Sequence, residues 1–157
     1  MKNVFISHIH EDDEHLGRIK DLLESKRYPI RDSSINSSNP NNANKKEYIK
    51  DQILRPQIRW AGTVIVLITP GTRKSEWVDW EIREAVRQGK HVVGVWGHGD
   101  ALCDLPEAMI EFAFRVVGWN GDSIIDAIED VPGPWETPEG NSWPKRDLPR
   151  RCGSRLQ

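Results

Sequence analysis

Trp77 and Glu81 are the two side chains in this sequence whose types and spacing best suit a ligand site. They lie four residues apart in a segment with helical periodicity, so the indole and the carboxylate should be neighbours on one side of a helix. The segment follows an apolar run at residues 63–68, and open α/β sheets keep their ligand crevice near the carboxyl ends of such strands. The same spacing also suits a solvated glutamate in an ion pair, and spacing alone leaves both interpretations open.

Histidines near the amino terminus suggest a second kind of chemistry. His8, His10 and His15 flank an acidic run at residues 11–14, and these side chains are possible ligands of a divalent metal. However, His8 and His10 should project differently if they leave the first strand in a loop, and the acids suit the first turn of a helix, where the dipole favours negative charge. We therefore expect no metal site. The sequence also has no obvious Ser/His/Asp or Cys/His arrangement.

The predicted helix that carries Glu81 is well marked at both ends. Ser75 is a good N-cap because its hydroxyl can accept a hydrogen bond from a free amide of the first turn, and Gly89 suits the left-handed residue that ends a helix. At about 100° per residue, Trp77, Glu81 and Glu84 form a shoulder between two opposite faces. The face expected to pack on the sheet contains Val78, Ile82, Ala85 and Val86, and the face expected to be exposed contains Trp80, Arg83 and Arg87.

The rest of the chain alternates between strand and helix patterns. Short apolar and β-branched runs predict five strands, at residues 4–6, 28–31, 63–68, 91–95 and 114–117. Helical periodicity predicts a helix that begins at the acidic run and further helices at residues 45–60, 75–88, 105–111 and 123–129. Pro29 places the second strand at a sheet edge or marks the start of a strand, and Pro56 should kink or split the second helix. Residues 33–44, rich in Ser and Asn, form a loop of a length that is usually functional or disordered.

This order of elements predicts an α/β protein with a parallel five-stranded sheet, in the order 2-1-3-4-5, and helices on both faces. It is a flavodoxin-like three-layer fold. We expect a single domain at residues 1–131. Residues 132–157 hold many Pro, Gly and Arg residues with isolated Trp135 and Trp143, which predicts a poorly ordered tail.

The composition is that of an ordinary globular protein. Of the 157 residues, 37% are hydrophobic and 29% charged, which fits one domain with a normal core. The net charge of -2 gives no argument for a nucleic-acid or anionic-membrane partner. The apolar segment after Met1 is too short for a signal peptide or a membrane span, and Cys103 and Cys152 lack the spacing of a disulfide framework or a zinc site. We expect a cytoplasmic protein with reduced thiols.

Two common uses of this fold are excluded by what their chemistry requires. A phosphate-accepting receiver domain needs an aspartate at the end of the third strand, where this chain has Thr69 and Pro70. A flavin or dinucleotide cradle needs a turn rich in Gly and Ser/Thr after the first strand. This chain has His8, Ile9 and His10 there, followed by four acidic residues that would repel a phosphate.

Four stretches of the sequence resemble the Toll/interleukin-1 receptor (TIR) domain family. Residues 5–8, F-I-S-H, resemble its opening motif, and residues 28–32 with the Ser/Asn loop resemble its second strand and the loop that follows. Residues 75–82, S-E-W-V-D-W-E-I, resemble its third helix with the motif W-x-x-x-E and are the most specific part. Residues 117–125 resemble the end of a prokaryotic TIR-like subgroup that includes the TIR proteins of Thoeris antiphage systems. The resemblance covers about residues 3–131.

The resemblance implies an NAD-consuming enzyme in which Glu81 is the catalytic residue. Cleavage of the bond between nicotinamide and ribose builds an oxocarbenium-like charge on the sugar, and one nearby carboxylate can stabilise that charge. Nicotinamide leaves from a cationic pyridinium, so no second carboxyl group is needed to protonate it. The implied product is an ADP-ribose-type signal, linear or cyclic, in antiphage defence.

The resemblance and the predicted crevice also suggest which residues bind the substrate: Phe5, Ser7, His8, Asp32, Ser75 and Trp77. A plain N-cap is the better interpretation of Ser75, and Trp77 suits packing equally well. NAD is expected as a substrate, with no cofactor and no metal. The implied protein partners are further copies of the domain, joined by TIR–TIR contacts, and a separate effector that responds to the product. Neither a nucleic acid nor a membrane is expected as a partner.

Two other functions remain open at this point. The chain could be a non-catalytic TIR interaction module that binds another TIR domain through residues 33–44. That loop lacks the Pro-Gly signature of animal TIR domains, which counts against adaptor-style signalling. The third alternative is an enzyme similar to nucleoside deoxyribosyltransferases, which also use one carboxylate on a related sheet.

Overall fold

The computed structural model describes residues 2–9, 12–33, 49–99 and 101–143. In those residues, five strands form one sheet, and five α-helices pack around it. The strands are β1 (Lys2–Ser7), β2 (Ile30–Asp32), β3 (Thr63–Ile68), β4 (His91–Trp96) and β5 (Arg115–Val117). The helices are α1 (Asp13–Ser25), α2 (Arg55–Trp60), α3 (Glu76–Arg87), α4 (Glu107–Phe112) and α5 (Gly121–Ile128).

All five strands are parallel and lie in the order β2-β1-β3-β4-β5, which confirms the predicted flavodoxin-like architecture. Every residue of β3 is buried because helices cover both faces of the sheet. The chain passes from β1 outward to the edge strand β2 and returns to β3 on the other side of β1. The strand order therefore reverses between β1 and β3, where sheets of this class bind their ligands.

Successive residues of each strand point alternately into two cores. Phe5 and Val66 belong to the core on one face, together with Val78 of α3. Ile6 belongs to the core on the other face, together with Leu23 of α1 and residues of α5. The alternation follows from the two-residue period of a strand, and it assigns α3 to the same face as Phe5 and Ser7.

Pro56 splits the predicted second helix, as its missing amide requires. A π-helical segment, Ile49–Leu54, precedes α2, and Pro56 lies in the first turn of α2, where a free amide would have no helical partner. Residues 45–48 of the predicted helix lie outside the described residues, and so do residues 34–44 of the Ser/Asn loop.

The expectation of a poorly ordered tail is wrong for residues 132–143, which we call the C-terminal strap. Trp135 and Trp143 are buried in the core that also contains α3. The ring of Trp143 lies 5.9 Å from the ring of Trp96 at the end of β4. Burial of these two large indoles helps to hold the polar segment against the core. Residues 144–157 lie outside the described residues.

Glu136 attaches the strap to the outer edge of β5. Its amide donates to the Val116 carbonyl at 2.6 Å, and its side chain accepts from the Gly118 amide at 3.0 Å. Its carboxylate also lies 3.3 Å from the guanidinium of Arg115, and its carbonyl accepts from the Trp96 indole at 2.8 Å. The strap thus satisfies part of the edge of β5 that would otherwise face water.

In the four described segments of the chain, no helix has both the length and the apolar character needed to cross a membrane.

Candidate active site

Helix α3 begins and ends as its sequence predicts. The Ser75 hydroxyl accepts from the Val78 amide at 3.1 Å, and Gly89 adopts the left-handed conformation with φ of +76°. Val78, Ile82 and Ala85 are buried on the side that faces the sheet. The helix contacts β1, β3 and β4, so the side chains on its inner shoulder are held against the strand ends.

Trp80 departs from its predicted exposure. The indole is half-buried against the core, and the cationic groups of Lys50 and Arg55 lie 5.4 and 5.2 Å from its ring centroid. The reason is that α2 and the segment before it pack beside α3, where their cations cover the indole face. Arg83 and Arg87 are exposed as predicted.

Glu81 is more deeply buried than its shoulder position suggested. The residue is 8% exposed, and its Oε1 atom accepts a hydrogen bond of 2.5 Å from the hydroxyl of Ser7. Ser7 is the last residue of β1 and pairs with Val66 of β3, so this bond joins α3 to the point where the strand order reverses. The candidate carboxylate therefore lies at the expected ligand end of the sheet.

Burial also changes the ionisation of Glu81. Removal of the carboxyl group from water raises its pKa to about 8, and the hydrogen bond from Ser7 opposes part of that rise. Among the described residues, Ser7 is the hydrogen-bond partner of this carboxyl group, and no cation lies within ion-pair distance of it. The interpretation of Glu81 as a solvated glutamate in an ion pair is therefore wrong.

His8 is held by both of its ring nitrogens. Nδ1 lies 3.0 Å from the Ile6 carbonyl and Nε2 lies 2.8 Å from a carboxylate oxygen of Asp13, with the side chain only 5% exposed. The ring thus ties the end of β1 to the first turn of α1. In the described part of the chain, no group of three or more His, Cys, Asp or Glu side chains is arranged to hold a metal.

Phe5 and Asp32, both predicted to bind substrate, are largely occupied by contacts within the fold. Phe5 is 1% exposed and packs in the core on the α3 side. The Asp32 side chain is 3% exposed, accepts from the Ile6 amide at 3.2 Å and lies 3.7 Å from the Lys20 ammonium. The structure places Phe5 two residues before Ser7 on one strand, and Asp32 at the end of the neighbouring strand.

Ser75 and Trp77 lie nearer the surface than Glu81. Trp77 is half-buried, with the Lys50 ammonium 5.8 Å from its ring centroid. Ser75 lines a surface depression of about 470 Å³ with Lys50 and Trp80, and Glu81 is not part of that depression. The structure thus brings Ser7 and Glu81 into direct contact and leaves Ser75 at the start of the helix.

A hydrogen-bond network that the sequence did not predict fixes the loops that follow β1 and β3. The Thr69 hydroxyl donates to an Asp12 carboxylate oxygen at 2.5 Å, and the Thr72 hydroxyl donates to the Leu67 carbonyl at 3.1 Å. Two threonines just after a buried strand were the sequence signal for this network. It joins the start of α1 to the end of β3 and so frames the place where Glu81 lies.

This arrangement can stabilise a positive charge. A carboxylate in a largely water-excluded site interacts more strongly with a cation than the same group in water does. The raised pKa of Glu81 means that the group carries this charge mainly at alkaline pH in the unliganded protein. A cationic ligand would favour the charged form and lower that pKa.

Part of the chain matches a known protein family. Residues 5–101 match the family described as the Thoeris protein ThsB, TIR-like domain. No curated protein matches the chain. The matched residues include the end of β1 with Ser7, the whole of α3 with Glu81, and the loops that follow β1 and β3. They make up more than half of the 157 residues. The chain therefore belongs to the ThsB family of TIR-like domains from Thoeris defence systems.

Proposed function

We propose that this chain cleaves NAD at the bond between nicotinamide and ribose, with Glu81 as the catalytic carboxylate. The observation that carries the proposal is the buried Glu81 carboxyl group, bonded to Ser7 at the reversal between β1 and β3. Membership of the ThsB family of TIR-like domains supports it. The resemblance to bacterial TIR domains implies NAD consumption, with the glutamate of the W-x-x-x-E motif as the catalytic residue.

In the proposed reaction the bond between ribose C1′ and the pyridinium nitrogen breaks. Its electron pair stays with the nitrogen, so nicotinamide leaves as a neutral molecule and positive charge develops on the ribose. The Glu81 carboxylate stabilises that charge. Water then adds at C1′ and loses a proton to give ADP-ribose, or a nucleophile within the ADP-ribose portion adds instead and gives a cyclic product.

The other predicted substrate residues divide according to their exposure. Trp77 is half-buried beside the helix start and supplies a surface against which a planar ring can stack. Phe5, His8 and Asp32 are buried or bonded within the fold, and we assign them to the walls that shape the crevice. Ser75 acts through its cap on α3.

We assign the product a signalling role in antiphage defence. A separate effector protein would respond to it, and NAD would be the substrate with no resident cofactor. Copies of this chain would assemble through TIR–TIR contacts. In the TIR family such contacts are often made by the loop that corresponds to residues 33–44 of this chain.

Nicotinamide release from NAD by the concentrated, purified protein tests this function. Glu81→Gln replaces the carboxylate with a neutral group of nearly the same shape, and we expect it to lower the rate by about 100-fold or more. Glu76→Gln is the matched control because Glu76 is exposed on the same helix, and it should keep the full rate. Far-UV circular dichroism should show that both variants are folded.

Two results would contradict the proposal. One is undiminished nicotinamide release by a folded Glu81→Gln variant. The other is the absence of release both from the purified protein and in cells challenged with phage, which would instead favour a non-catalytic interaction module.

A further inference from the structure

We propose that Ser7 is a positioning residue for Glu81: its hydroxyl orients the carboxyl group and supplies the hydrogen bond on which the charged form of that group depends. This role differs from the substrate contact that the sequence predicts for Ser7. Its consequence for catalysis rests on the proposed function of Glu81, but the contact itself can be tested without any enzymatic activity.

The position of Ser7 is fixed by the sheet. It is 1% exposed, and it pairs with Val66 in the ladder between β1 and β3, so its backbone has little freedom. Its side chain points to the face covered by α3, as does that of Phe5 two residues earlier. Because the backbone of Ser7 is held in the sheet, its hydroxyl can move only by rotation about the side-chain bonds. It can therefore fix the direction of the carboxyl group that it contacts.

The contact between the two side chains is close and local to the crevice. The 2.5 Å between Ser7 Oγ and Glu81 Oε1 is at the short end of the range for a hydroxyl–oxygen hydrogen bond, and such a bond is strongest when its acceptor is charged. Burial raises the pKa of Glu81 to about 8, and the Ser7 bond is the contribution that acts in the opposite direction. Without Ser7, the charged carboxylate would lose the donor that the described structure provides for it.

The charged groups near α3 in the described part of the chain have contacts other than one with Glu81. Lys50 lies over the rings of Trp77 and Trp80, and several other groups are in ion pairs. These pairs are Arg55 with Glu84, Arg73 with Asp104, Arg83 with Glu111, His91 with Asp130 and His8 with Asp13.

Carbon-13 NMR of the full chain, labelled at the glutamate side-chain carboxyl carbons, tests the proposal. The Glu81 resonance is assigned by its loss in Glu81→Gln, and its titration midpoint is compared between the natural protein, Ser7→Ala and Ser7→Thr. We expect Ser7→Ala to raise the midpoint by about one pH unit, the size expected when one hydrogen bond to a charged group is lost. Ser7→Thr keeps a hydroxyl on a strand-compatible side chain and should restore the midpoint.

The pH profile of NAD cleavage gives the second readout. The acidic limb of kcat/KM should move to higher pH by the same amount in Ser7→Ala and return in Ser7→Thr. A residue with a merely structural role would lower the rate without moving this limb. An unchanged Glu81 midpoint in folded Ser7→Ala would overturn the proposal. A shifted midpoint in a protein that never cleaves NAD would support the positioning role and contradict the proposed function.

Discussion

Glu81 and Glu84 are three residues apart on α3, and both side chains are buried, but their surroundings differ completely. Glu84 receives hydrogen bonds from Arg87 and Gln88, with a distance of 2.7 Å from the Gln88 amide, and lies 3.4 Å from Arg55. Burial alone would raise its pKa, but these donors and charges together lower it to about 2. Glu81 has Ser7 alone among the described residues, and its pKa is raised to about 8.

The difference shows that the environment, and not the residue type or the helix, decides what a carboxylate can do here. Glu84 is fully compensated and ties α3 to α2, which is a structural task. Glu81 is also buried, but among the described residues no counter-charge lies within ion-pair distance of it, so its ionisation costs stability. Uncompensated groups of this kind are typical of functional sites, where a ligand supplies the missing charge. In the proposed reaction, the positively charged pyridinium ring of NAD would supply that charge.

The largest expected effect on folding comes from Glu81→Gln at alkaline pH. The pKa of Glu81 is about 8 in the folded protein and near its ordinary value of 4.5 in the unfolded chain. The folded state therefore holds the proton more tightly, and the resulting stability is complete below pH 4.5 and lost as the pH rises to 8. Because glutamine does not titrate, the variant should become more stable than the natural protein by up to roughly 5 kcal/mol above pH 8.

Urea denaturation at several pH values measures this difference in the free energy of unfolding. Glu76→Gln serves again as the control, since Glu76 is exposed and its substitution should add little pH dependence. If the difference in the free energy of unfolding between Glu81→Gln and the natural protein is the same at acidic and alkaline pH, the Glu81 carboxyl group does not have a raised pKa, and the prediction is wrong.

Glu84→Gln should have a smaller effect of the opposite sign. The variant removes the charge that satisfies Arg55 and Arg87, and we expect it to lower the free energy of unfolding at neutral pH by about 1–3 kcal/mol. The pKa of Glu84 is lowered, so its contribution is present above the ordinary value and is lost as the pH falls toward 2. The loss in the variant should fade over the same range.

Thermal or urea unfolding of Glu84→Gln across acidic and neutral pH provides the measurement. Asp79→Asn is the matched control, since Asp79 forms a more exposed ion pair of 2.9 Å with Arg83 on the same helix and should contribute less. If Glu84→Gln is as stable as the natural protein at neutral pH, the charged Glu84 carboxylate does not stabilise the fold, and the contrast with Glu81 fails.

The fold was largely predictable because its signals are local. The β-branched run at residues 63–68 coincides with β3, and the Ser75 cap and the Gly89 stop mark the ends of α3 as expected. The alternation of strands and helices predicted the parallel sheet, and the flavodoxin-like class supplied its strand order. The signals for the individual strands and helices come from residues close together in the sequence.

The features that were not predicted depend on tertiary distances. Helical spacing placed Glu81 on a shoulder, but its burial depends on how closely the end of β1 approaches, and Ser7 is 74 residues away in the sequence. The strap was missed because its gain comes from Trp135 and Trp143 entering a core built by other elements. A polar segment with isolated indoles gives no periodicity from which that docking can be inferred.

The pH dependence of kcat/KM for NAD cleavage by the natural protein tests the central claim most directly, because it measures the ionisation of the catalytic group in the free enzyme. If Glu81 is that group and must be charged, kcat/KM should rise about tenfold per pH unit at acidic pH and level off near pH 8. A value of kcat/KM that stays constant between about pH 6 and about pH 9 would contradict the assignment, since a carboxyl group buried as Glu81 is cannot remain equally charged over that range.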